Sequence, residues 1–590
     1  MCCLTSRYTT SKALLEALQE ADVSFIFSNL GSDHPAIIEA LAEAEKEGID
    51  FPKIITCPHE MVALSAAHGY AQVSGKPQAV LVHVECGTQN LGAAIHNAWK
   101  GRVPVLIFAG TSPYTQEGEL RGSRNEFIHW IQDVPDQPGI VRGYMKYTHE
   151  IRTGKNVKQI VHRALQIAQS SPKGPVYLTS AREVLEEEVE KVEIHPEQWR
   201  PIAARALAPQ EIDPLVKDLL AANNPLIVTS YIGKNKQAVK ELVKFCEKLA
   251  IPVLESVPNY MNFPSDHPLH CGYQWNTSTQ NDLIEKADFI MVIDSDVPWI
   301  PVNNKPSPNC TIYYIDEDPL KEGMTLWYIP SKRFFAADAE TALRQLNEVI
   351  KNADIDSLQV NERRKQIEKY HKAQREEWKK AEQFFDDIIT PEYLTACIRE
   401  VCDENTIIVN EGISNFQTLY THLQMTKPGS IFGSGGGGLG WNGGAAIGAK
   451  LADPSKTVIS LTGDGSYLFS VPSSVHWISQ KYDAPFLTVI YNNRGWKSPK
   501  LSTLAVHPNG IANETNQFFV DFTPHADLSK IAEAAGGAYA RKIENPHELK
   551  EALNEAIKTV KSGRSAVLDV YLPAISQENQ MREEKNHSTV

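Results

Sequence analysis

Short apolar runs alternate with amphipathic, helix-like segments along almost the whole chain. In the C-terminal part, the apolar runs 457–461 and 486–491 flank a helix-like segment at 472–481. Short apolar runs separated by helices are typical of buried strands in a parallel sheet. Further strand-like runs lie at 24–27, 53–56, 79–82, 105–108, 174–178, 225–229, 252–254, 289–293, 311–315 and 406–408. We therefore predict an α/β fold with three doubly wound parallel-sheet domains.

The length of the chain and its changes in composition indicate several domains. A chain of 590 residues is too long for one hydrophobic core. A stretch rich in Lys, Glu and Arg before residue 389 is typical of a solvated linking helix. The predicted units are an N-terminal α/β domain (1–185), a middle α/β domain (209–350), a helical linker (351–388), a C-terminal α/β domain (389–575) and a disordered tail (576–590).

Composition and charge narrow the classes of partner. With 42% hydrophobic and 22% charged residues, the chain has the balance of an ordinary globular protein, and its net charge of −14 argues against a nucleic-acid partner. No apolar run reaches the length of a membrane span, and the N-terminus has no apolar signal segment. The nine cysteines lack zinc-binding or CxxC spacing. These features predict a cytoplasmic protein with reduced thiols and no nucleic-acid or membrane partner.

Two polar clusters follow the C-terminal apolar runs and have the residue types of a metal and phosphate site. Gly463-Asp464-Gly465 follows the first run, and Asn492-Asn493 follows the second. Carboxylate and amide oxygens suit Mg²⁺, which often shares its coordination with substrate phosphates. Glycines let backbone N–H groups approach a phosphate closely. Open α/β sheets bind ligands at the carboxyl ends of their strands, so we predict the site at that edge.

Together these clusters resemble the thiamine diphosphate-binding signature, and two upstream segments strengthen the resemblance. The segment 435–448, GGGGLGWNGGAAIG, is similar to the turn that carries a bulky residue under the cofactor, and Leu439 matches that residue. A flexible glycine linker is disfavoured, because a helix-like run and a strand follow directly. The turn 409–414 resembles the diphosphate-contacting turn of the same family. The resemblance implies cofactor contacts at Glu60, Gly412, Ser414, Gly437, Leu439, Gly463, Asp464, Gly465, Ser466, Asn493, Gly495 and Trp496, and metal ligands at Asp464, Asn493 and Gly495.

Glu60 is the main catalytic candidate. It lies in the segment 59–77, HEMVALSAAHGYAQVSGKP, which resembles a motif of the thiamine diphosphate decarboxylase and carboligase superfamily. In that superfamily the glutamate hydrogen-bonds the aminopyrimidine ring and stabilises the tautomer whose imino nitrogen acts as the base. Apart from the resemblance, a glutamate at this place would be a first-turn charge that stabilises a helix.

Two further candidates come from a resemblance to benzoylformate decarboxylases. The turn 29–32, NLGS, is similar to an N-P-G-S turn whose serine contacts substrate, and Ser32 matches that serine, although a leucine replaces the proline. His83 opens a predicted turn, 83–90, and matches a proton-relay histidine. A structural role for His83 is the alternative.

The resemblance indicates the cofactor but does not identify the substrate. A second active-site histidine of benzoylformate decarboxylases has no counterpart in 296–301, and the glutamine that acetolactate synthases place after the strand ending at Gly110 is missing. The resemblance implies a thiamine diphosphate- and Mg²⁺-dependent enzyme that decarboxylates a 2-oxo acid and then joins the product to an aldehyde or a second oxo acid, like acetolactate synthase. The alternatives are a simple 2-oxo acid decarboxylase that releases an aldehyde, and a cofactor-binding paralogue without turnover.

The resemblance also implies which domain binds each part of the cofactor and how many chains form one site. It assigns the pyrimidine ring to domain 1–185 and the diphosphate to domain 389–575. In the family the two domains of one site come from different subunits, so we predict a homodimer or a homotetramer. Acetolactate synthases bind FAD in the middle domain. Here the single glycine of the turn 231–233 is weak support for FAD, and a structural middle domain is favoured.

Overall fold

Three six-stranded parallel sheets, each flanked by helices, form the protein. The computed structural model describes residues 7–384 and 388–575. The predicted fold class, α/β with three doubly wound parallel sheets, is confirmed. Each sheet lies within one of the predicted α/β ranges. The tail 576–590, which the sequence predicts to be disordered, lies outside the described residues.

The N-terminal sheet has the strand order β2-β1-β3-β4-β6-β5. Its strands are β1 (Phe25–Ser28), β2 (Lys53–Thr56), β3 (Gln78–Val82), β4 (Val105–Thr111), β5 (Tyr147–Ile151) and β6 (Val176–Ala181). Its helices are α1 (Thr10–Glu20), α2 (Pro35–Glu47), α3 (Glu60–Ser74), α4 (Val84–Asn90), α5 (Ala94–Lys100), α6 (Ile128–Ile131), α7 (Val157–Gln169) and α8 (Arg182–Leu185). Strands β3 and β6 are buried along their whole length, as expected where helices cover both faces of a parallel sheet.

The middle sheet has the strand order β9-β8-β7-β10-β11-β12. Its strands are β7 (Pro225–Thr229), β8 (Val253–Ser256), β9 (His270–Gln274), β10 (Phe289–Ile293), β11 (Thr311–Asp316) and β12 (Arg333–Ala336). Its helices are α9 (Pro209–Ala221), α10 (Lys236–Leu249), α11 (Asp282–Lys286) and α12 (Ala339–Lys351). This is the strand order of doubly wound folds that bind dinucleotides where the order reverses, which is between β7 and β10 here.

A long helix, α13 (Ser357–Ala381), lies within the predicted linker, and Ile367 is its buried residue. The C-terminal sheet that follows has the order β14-β13-β15-β16-β18-β17, which repeats the topology of the N-terminal sheet. Its strands are β13 (Thr406–Glu411), β14 (Ile431–Gly433), β15 (Thr457–Gly463), β16 (Leu487–Asn492), β17 (Tyr539–Ile543) and β18 (Ala566–Tyr571). Its helices are α14 (Pro391–Val401), α15 (Phe416–Leu423), α16 (Trp441–Ala452), α17 (Asp464–Phe469), α18 (Pro472–Lys481), α19 (Lys497–Val506), α20 (Ile511–Glu514), α21 (Ser529–Gly536) and α22 (Pro546–Lys561).

The N-terminal and C-terminal domains pack directly on each other through α3 and α16. A Cβ atom at Gly444 would lie 2.6 Å from the Cβ atom of Ser65, and one at Gly448 would overlap the backbone of Ala66. Glycines therefore let the two helices approach at backbone distance, and the joint core is continuous across the two domains. Both helices begin at segments that the sequence predicts to bind the cofactor.

In residues 7–384 and 388–575, no helix is both long enough and apolar enough to cross a membrane.

Candidate cofactor site

The metal and phosphate half of the predicted site lies at the carboxyl ends of β15 and β16. These strands pair in parallel with Gly463 opposite Tyr491, so Asp464 and Asn492 both follow the paired ends. Asp464 is buried, and its Oδ1 and Oδ2 accept hydrogen bonds from the backbone N–H groups of Gly465 (2.9 Å) and Gly495 (2.8 Å). Burial raises the pKa of Asp464 to about 6. The structure thus brings the GDG turn and the second polar cluster together.

The oxygens around Asp464 fit a hard cation. Oδ1 of Asn493 is buried and has no hydrogen-bond partner among the described residues. A buried amide oxygen without a partner is costly, and a bound cation would satisfy it. The described chain contains no group of three or more His, Cys, Asp or Glu side chains that could hold a metal ion. A magnesium ion would therefore be held by the Asp464 carboxylate together with amide and backbone oxygens.

A buried carboxylate that the sequence does not reveal supports this half of the site. Nδ2 of Asn492 donates to Oδ1 of Asp569, on β18, over 2.8 Å, and the N–H of Leu528 donates to its Oδ2 over 3.1 Å. Burial raises the pKa of Asp569 to about 6. Asp569 orients Asn492, and so fixes the start of the turn that carries Asn493.

Trp496 closes the phosphate half from the side. Its backbone N–H donates to the carbonyl of Val520 over 2.9 Å, and its ring contacts Gly465, where a Cβ atom would overlap it. The ring also packs edge-on against Phe469 and Phe522, with centroid distances of 5.7 and 5.0 Å. A Cβ atom at Gly463 would meet no atom within 4 Å, so this face of the turn is open to a ligand.

The turn that follows β13 lies at the same edge, because β13 pairs with β15 up to Glu411 and Thr462. The N–H of Gly412 donates to Oδ1 of Asn410 over 3.0 Å. Ser414 is exposed in the short 3₁₀ turn Ile413–Asn415. Ser466, on α17, is buried, and its carbonyl accepts from Nδ2 of Asn442 over 3.4 Å.

The glycine-rich segment is an ordered loop that leads into α16. Oε1 of Glu411 accepts from the N–H of Gly440 over 2.6 Å, and Oε2 accepts from the N–H and the Nδ2 of Asn442 over 2.7 and 2.8 Å. Gly440 has a φ of +92°, a conformation that favours glycine. Leu439 precedes it and is half-buried, and a Cβ atom at Gly437 would meet no atom within 4 Å. Burial raises the pKa of Glu411 to about 7.

Glu60 is the first residue of α3 and is buried. Its Oε1 accepts from Nδ2 of Asn29 over 2.7 Å, and its Oε2 accepts from Nδ2 of Asn90. A Cβ atom at Gly87 would lie 3.2 Å from Oε1, so a side chain there would crowd the carboxylate. The two asparagines, which the sequence does not identify, fix the carboxylate more firmly than a helix-start charge requires.

His83 is hydrogen-bonded to a buried aspartate. Its Nδ1 donates to Oδ1 of Asp33 over 2.6 Å, and the N–H of Val84 donates to Oδ2 over 3.1 Å. The hydrogen bond to Asp33 raises the pKa of His83. Burial alone would raise the pKa of Asp33, but the charges and hydrogen bonds of His34 and His83 hold that pKa well below its usual range. The Oγ atom of Ser32, in the preceding turn, is buried without a partner among the described residues.

Within one chain, the acid–base candidates of the N-terminal domain make no polar contact with the described residues around Asp464. Among the described residues, no hydrogen bond or ion pair links Glu60, His83 or their partners to the group around Asp464. The N-terminal half is open at the surface, where Asn90 and the thiol of Cys86 are exposed. A complete site would need the two halves to face each other across a ligand.

Three domain profiles of one enzyme family match the chain in order. The N-terminal thiamine pyrophosphate-binding domain of thiamine pyrophosphate enzymes matches residues 8–140, their central domain matches 212–346, and their C-terminal thiamine pyrophosphate-binding domain matches 412–570. Together these matches span most of the chain.

Curated relatives and solved structures cover nearly the full length. A probable acetolactate synthase large subunit of Methanocaldococcus jannaschii is 27% identical over 573 residues, which cover 93% of this chain and 89% of that protein. A benzoylformate decarboxylase of Pseudomonas aeruginosa is 24% identical over 491 residues, which cover 82% of this chain and 86% of that protein. The crystal structure of benzoylformate decarboxylase from Polynucleobacter necessarius superposes with a TM-score of 0.76 at 20% identity, covering 96% of this chain and 99% of that one, and so shares its fold.

Proposed function

Because the chain belongs to the thiamine pyrophosphate enzymes, we propose that it binds thiamine diphosphate with Mg²⁺ and acts on a 2-oxo acid. The proposed reaction is decarboxylation followed by joining of the product to an aldehyde or a second oxo acid. The acetolactate synthase large subunits among its relatives support this choice. The observation that carries the proposal is the unpartnered Oδ1 of Asn493 beside the buried Asp464, because it fits the metal that binds the cofactor diphosphate.

The residues of the C-terminal domain would hold the metal and the diphosphate. Asp464, Asn493 and the carbonyl of Gly495 are the proposed metal ligands. The proposed contacts to the cofactor are Gly412, Ser414, Gly437, Leu439, Gly463, Gly465, Ser466 and Trp496. The open space at Gly437 and Gly463 supports this assignment, since each would admit a ligand against the backbone.

The N-terminal domain would supply the acid–base groups. When bound, thiamine diphosphate supplies a nucleophilic ring carbon and an electron sink for decarboxylation. Glu60 is proposed to share a proton with the aminopyrimidine ring, and Asn29 and Asn90 orient its two oxygens for that contact. These firm contacts disfavour a paralogue without turnover, in which Glu60 would need only to start a helix.

A simple decarboxylase that releases an aldehyde is the second candidate. The hydrogen bond of His83 to Asp33 favours it, because it raises the pKa of His83, and a protonated imidazole here would deliver a proton to the product, as would the hydroxyl of Ser32. The segment 296–301 lacks the second histidine of benzoylformate decarboxylases, and the absence of that proton donor favours carboligation. Purified protein with cofactor, Mg²⁺ and a panel of 2-oxo acids, with and without aldehydes, tests both. Acyloin products indicate a carboligase, and CO₂ with free aldehyde alone indicates a decarboxylase.

A homodimer is proposed as the smallest active unit, with a homotetramer as the larger assembly. Among the described residues, Glu60 and Asp464 share no polar contact within one chain, and we propose that a second chain brings its Glu60 to the Asp464 of the first. Large exposed apolar side chains on both domains, including Phe127, Ile131, Ile511 and Phe519, support a partner surface. Light scattering measures the number of chains in the assembly. A fully active monomer would contradict the proposed dimer.

The middle domain is proposed to bind no FAD, because protein side chains fill the crevice where its strand order reverses. Arg102 of the N-terminal domain enters this crevice, with Nη2 2.6 Å from Oδ1 of Asp296 and the guanidinium 4.4 Å from the ring of Tyr231. Nζ of the fully buried Lys321 lies 2.7 Å from Oδ2 of Asp316 and 2.9 Å from Oδ1 of Asp296.

The charge of the crevice also disfavours a diphosphate. Lys234 lies 3.3 Å from Asp294 and 2.9 Å from Glu317, so Lys234, like Arg102 and Lys321, is already paired with carboxylates and is not available to a diphosphate. Burial raises the pKa of Asp294 to about 7. The absorption spectrum of the purified protein tests the proposal. We expect no flavin bands, and a flavin retained through gel filtration would contradict it.

The protein is proposed to be cytoplasmic. Seven cysteines lie in the described residues, and all of them are free thiols. Free thiols are the usual state in a reducing compartment. A fusion to a fluorescent protein, viewed in the source cells, checks this assignment.

A further inference from the structure

The loop that carries Leu439 has a second anchor, in the N-terminal domain of the same chain. Asn97 lies on α5 and is 1% exposed. Its Nδ2 donates to the carbonyl of Gly438 over 2.9 Å, and the N–H of Gly438 donates to its Oδ1, also over 2.9 Å. The side-chain amide thus satisfies both backbone polar groups of Gly438, as a neighbouring strand would.

The glycine run 435–438 packs closely against α5 and the residues at its ends. A Cβ atom at Gly436 would be 2.6 Å from Oδ1 of Asn97, and one at Gly438 would be 2.6 Å from Cβ of Ala93. A Cβ atom at Gly435 would be 2.5 Å from Cα of Gly101. Such distances leave no room for a side chain, so these glycines are required by close packing against the helix.

Leu439 therefore lies between two residues whose backbones are held from different domains. Gly438 is held by Asn97 of the N-terminal domain, and Gly440 is held by Glu411 of the C-terminal domain. We propose that Asn97 is a positioning residue, which sets the backbone of Leu439 and through it the conformation of the bound cofactor. This inference rests on the proposed thiamine diphosphate function.

Hydrogen exchange of the cofactor-free protein, followed by mass spectrometry, tests the anchor itself. In Asn97→Ala, the amides of residues 435–440 should exchange about tenfold faster, because the loop loses two hydrogen bonds. Asn347→Ala is the matched control. Asn347 is also a buried asparagine, bonded to Glu241 over 2.8 and 3.1 Å on α12 in the middle domain, and its loss should leave 435–440 unchanged. Equal exchange in wild type and Asn97→Ala would overturn the proposal.

A double-mutant cycle tests whether Asn97 acts through Leu439. The measured quantity is the rate of exchange of the C2 proton of bound thiamine diphosphate, read by NMR after acid quench. Asn97→Ala and Leu439→Ala should each slow it about tenfold, and the double variant should be no slower than Leu439→Ala alone. Effects that add fully would show that Asn97 acts independently of Leu439, against the proposal.

A second variant and a binding measurement distinguish a failure of the role proposed for Asn97 from misfolding and from a failure of the proposed function. If Asn97→Ala does not fold, Asn97→Ser, which keeps a small polar group, replaces it in both tests. Calorimetric titration of the wild type with thiamine diphosphate and Mg²⁺ tests the function on its own. Absence of binding there would refute the proposed function, while the exchange of 435–440 in the cofactor-free protein would still decide whether Asn97 holds the loop.

Discussion

The carboxylate of Glu411 and the amide of Asn442 meet directly behind the glycine-rich loop. Oε2 of Glu411 accepts from the backbone N–H and from Nδ2 of Asn442, over 2.7 and 2.8 Å. Since Glu411 ends β13 and Asn442 lies in the first turn of α16, one carboxylate ties a strand end to a helix start. It also satisfies N–H groups that a helix N-terminus leaves without intrahelical partners.

The buried carboxyl group of Glu411 predicts a pH dependence of stability. Burial raises the pKa of Glu411 from its ordinary value of 4.5 to about 7. At pH values between these two pKa values, the native state therefore binds more protons than the unfolded state. The contribution of Glu411 to the free energy of unfolding therefore falls as pH rises through this window, by at most about 1.4 kcal/mol per pH unit. Glu411→Gln, which stays neutral, should lack this loss. Thermal unfolding midpoints at several pH values should show the wild type losing stability relative to the variant, and parallel curves would contradict the assignment.

Removal of the proposed metal carboxylate should abolish cofactor retention. In Asp464→Ala the diphosphate loses its metal bridge, so calorimetric titration with thiamine diphosphate and Mg²⁺ should show no binding. Asp453→Ala, in a surface turn of the same domain where Asp453 bonds Ser455, is the control and should bind normally. Unchanged affinity in Asp464→Ala would refute the metal assignment.

The interior strands are predictable from the sequence, while several edge strands are not. The apolar runs at 79–82 and 289–293 match β3 and β10, which are buried on both faces. By contrast, β5 and β17 lie at sheet edges, have exposed residues and carry polar sequences without an apolar run. The predicted turn 83–90 is also wrong, because Val84–Asn90 forms α4. Burial on both faces produces the apolar pattern, so strands that lack it leave little signal.

The same limit applies to the site. Glu60 and Leu439 are predicted because their segments resemble motifs of a known family, and Asp464 because it is a carboxylate between two glycines at the end of an apolar run. The residues that bond to the candidate residues or to their chain neighbours act across long sequence separations, and they are Asn29, Asn90, Asp33, Asn97, Glu411 and Asp569. No spacing links such pairs along the chain, since the fold alone brings them together.

Loss of the charge on Asp33 should lower the pKa of His83. The hydrogen bond to Asp33 raises that pKa, and the neutral amide introduced by Asp33→Asn could bond the ring but not stabilise its positive charge. If protonated His83 assists turnover, activity falls when the pH rises above the pKa of His83. In Asp33→Asn this fall should occur at a lower pH than in the wild type. The pH profile of kcat measures this. A profile that matches the wild type would show that His83 does not titrate in the rate-limiting step, which leaves it a structural role.

The carboxylate of Glu60 should matter for turnover and little for cofactor affinity. Glu60→Gln keeps the shape of the side chain but cannot share a proton, and the proposed metal ligands lie in the other domain. We expect near-normal binding of thiamine diphosphate, with turnover lower by about 10²–10⁴, the usual contribution of a positioned acid–base group. Turnover at the wild-type rate, under conditions where the chemical step limits, would reduce Glu60 to a helix-start charge held by Asn29 and Asn90.

Mixing Glu60→Gln with Asp464→Ala protein tests the proposed dimer with the same residues. If each site takes Glu60 from one chain and Asp464 from the other, a mixed dimer contains one site with both residues intact and one site with neither. Activity should then rise on subunit exchange well above the sum of the two variants measured alone. Exchange is followed independently by mass-tagged subunits. Proven exchange without recovered activity would show that each site takes Glu60 and Asp464 from a single chain.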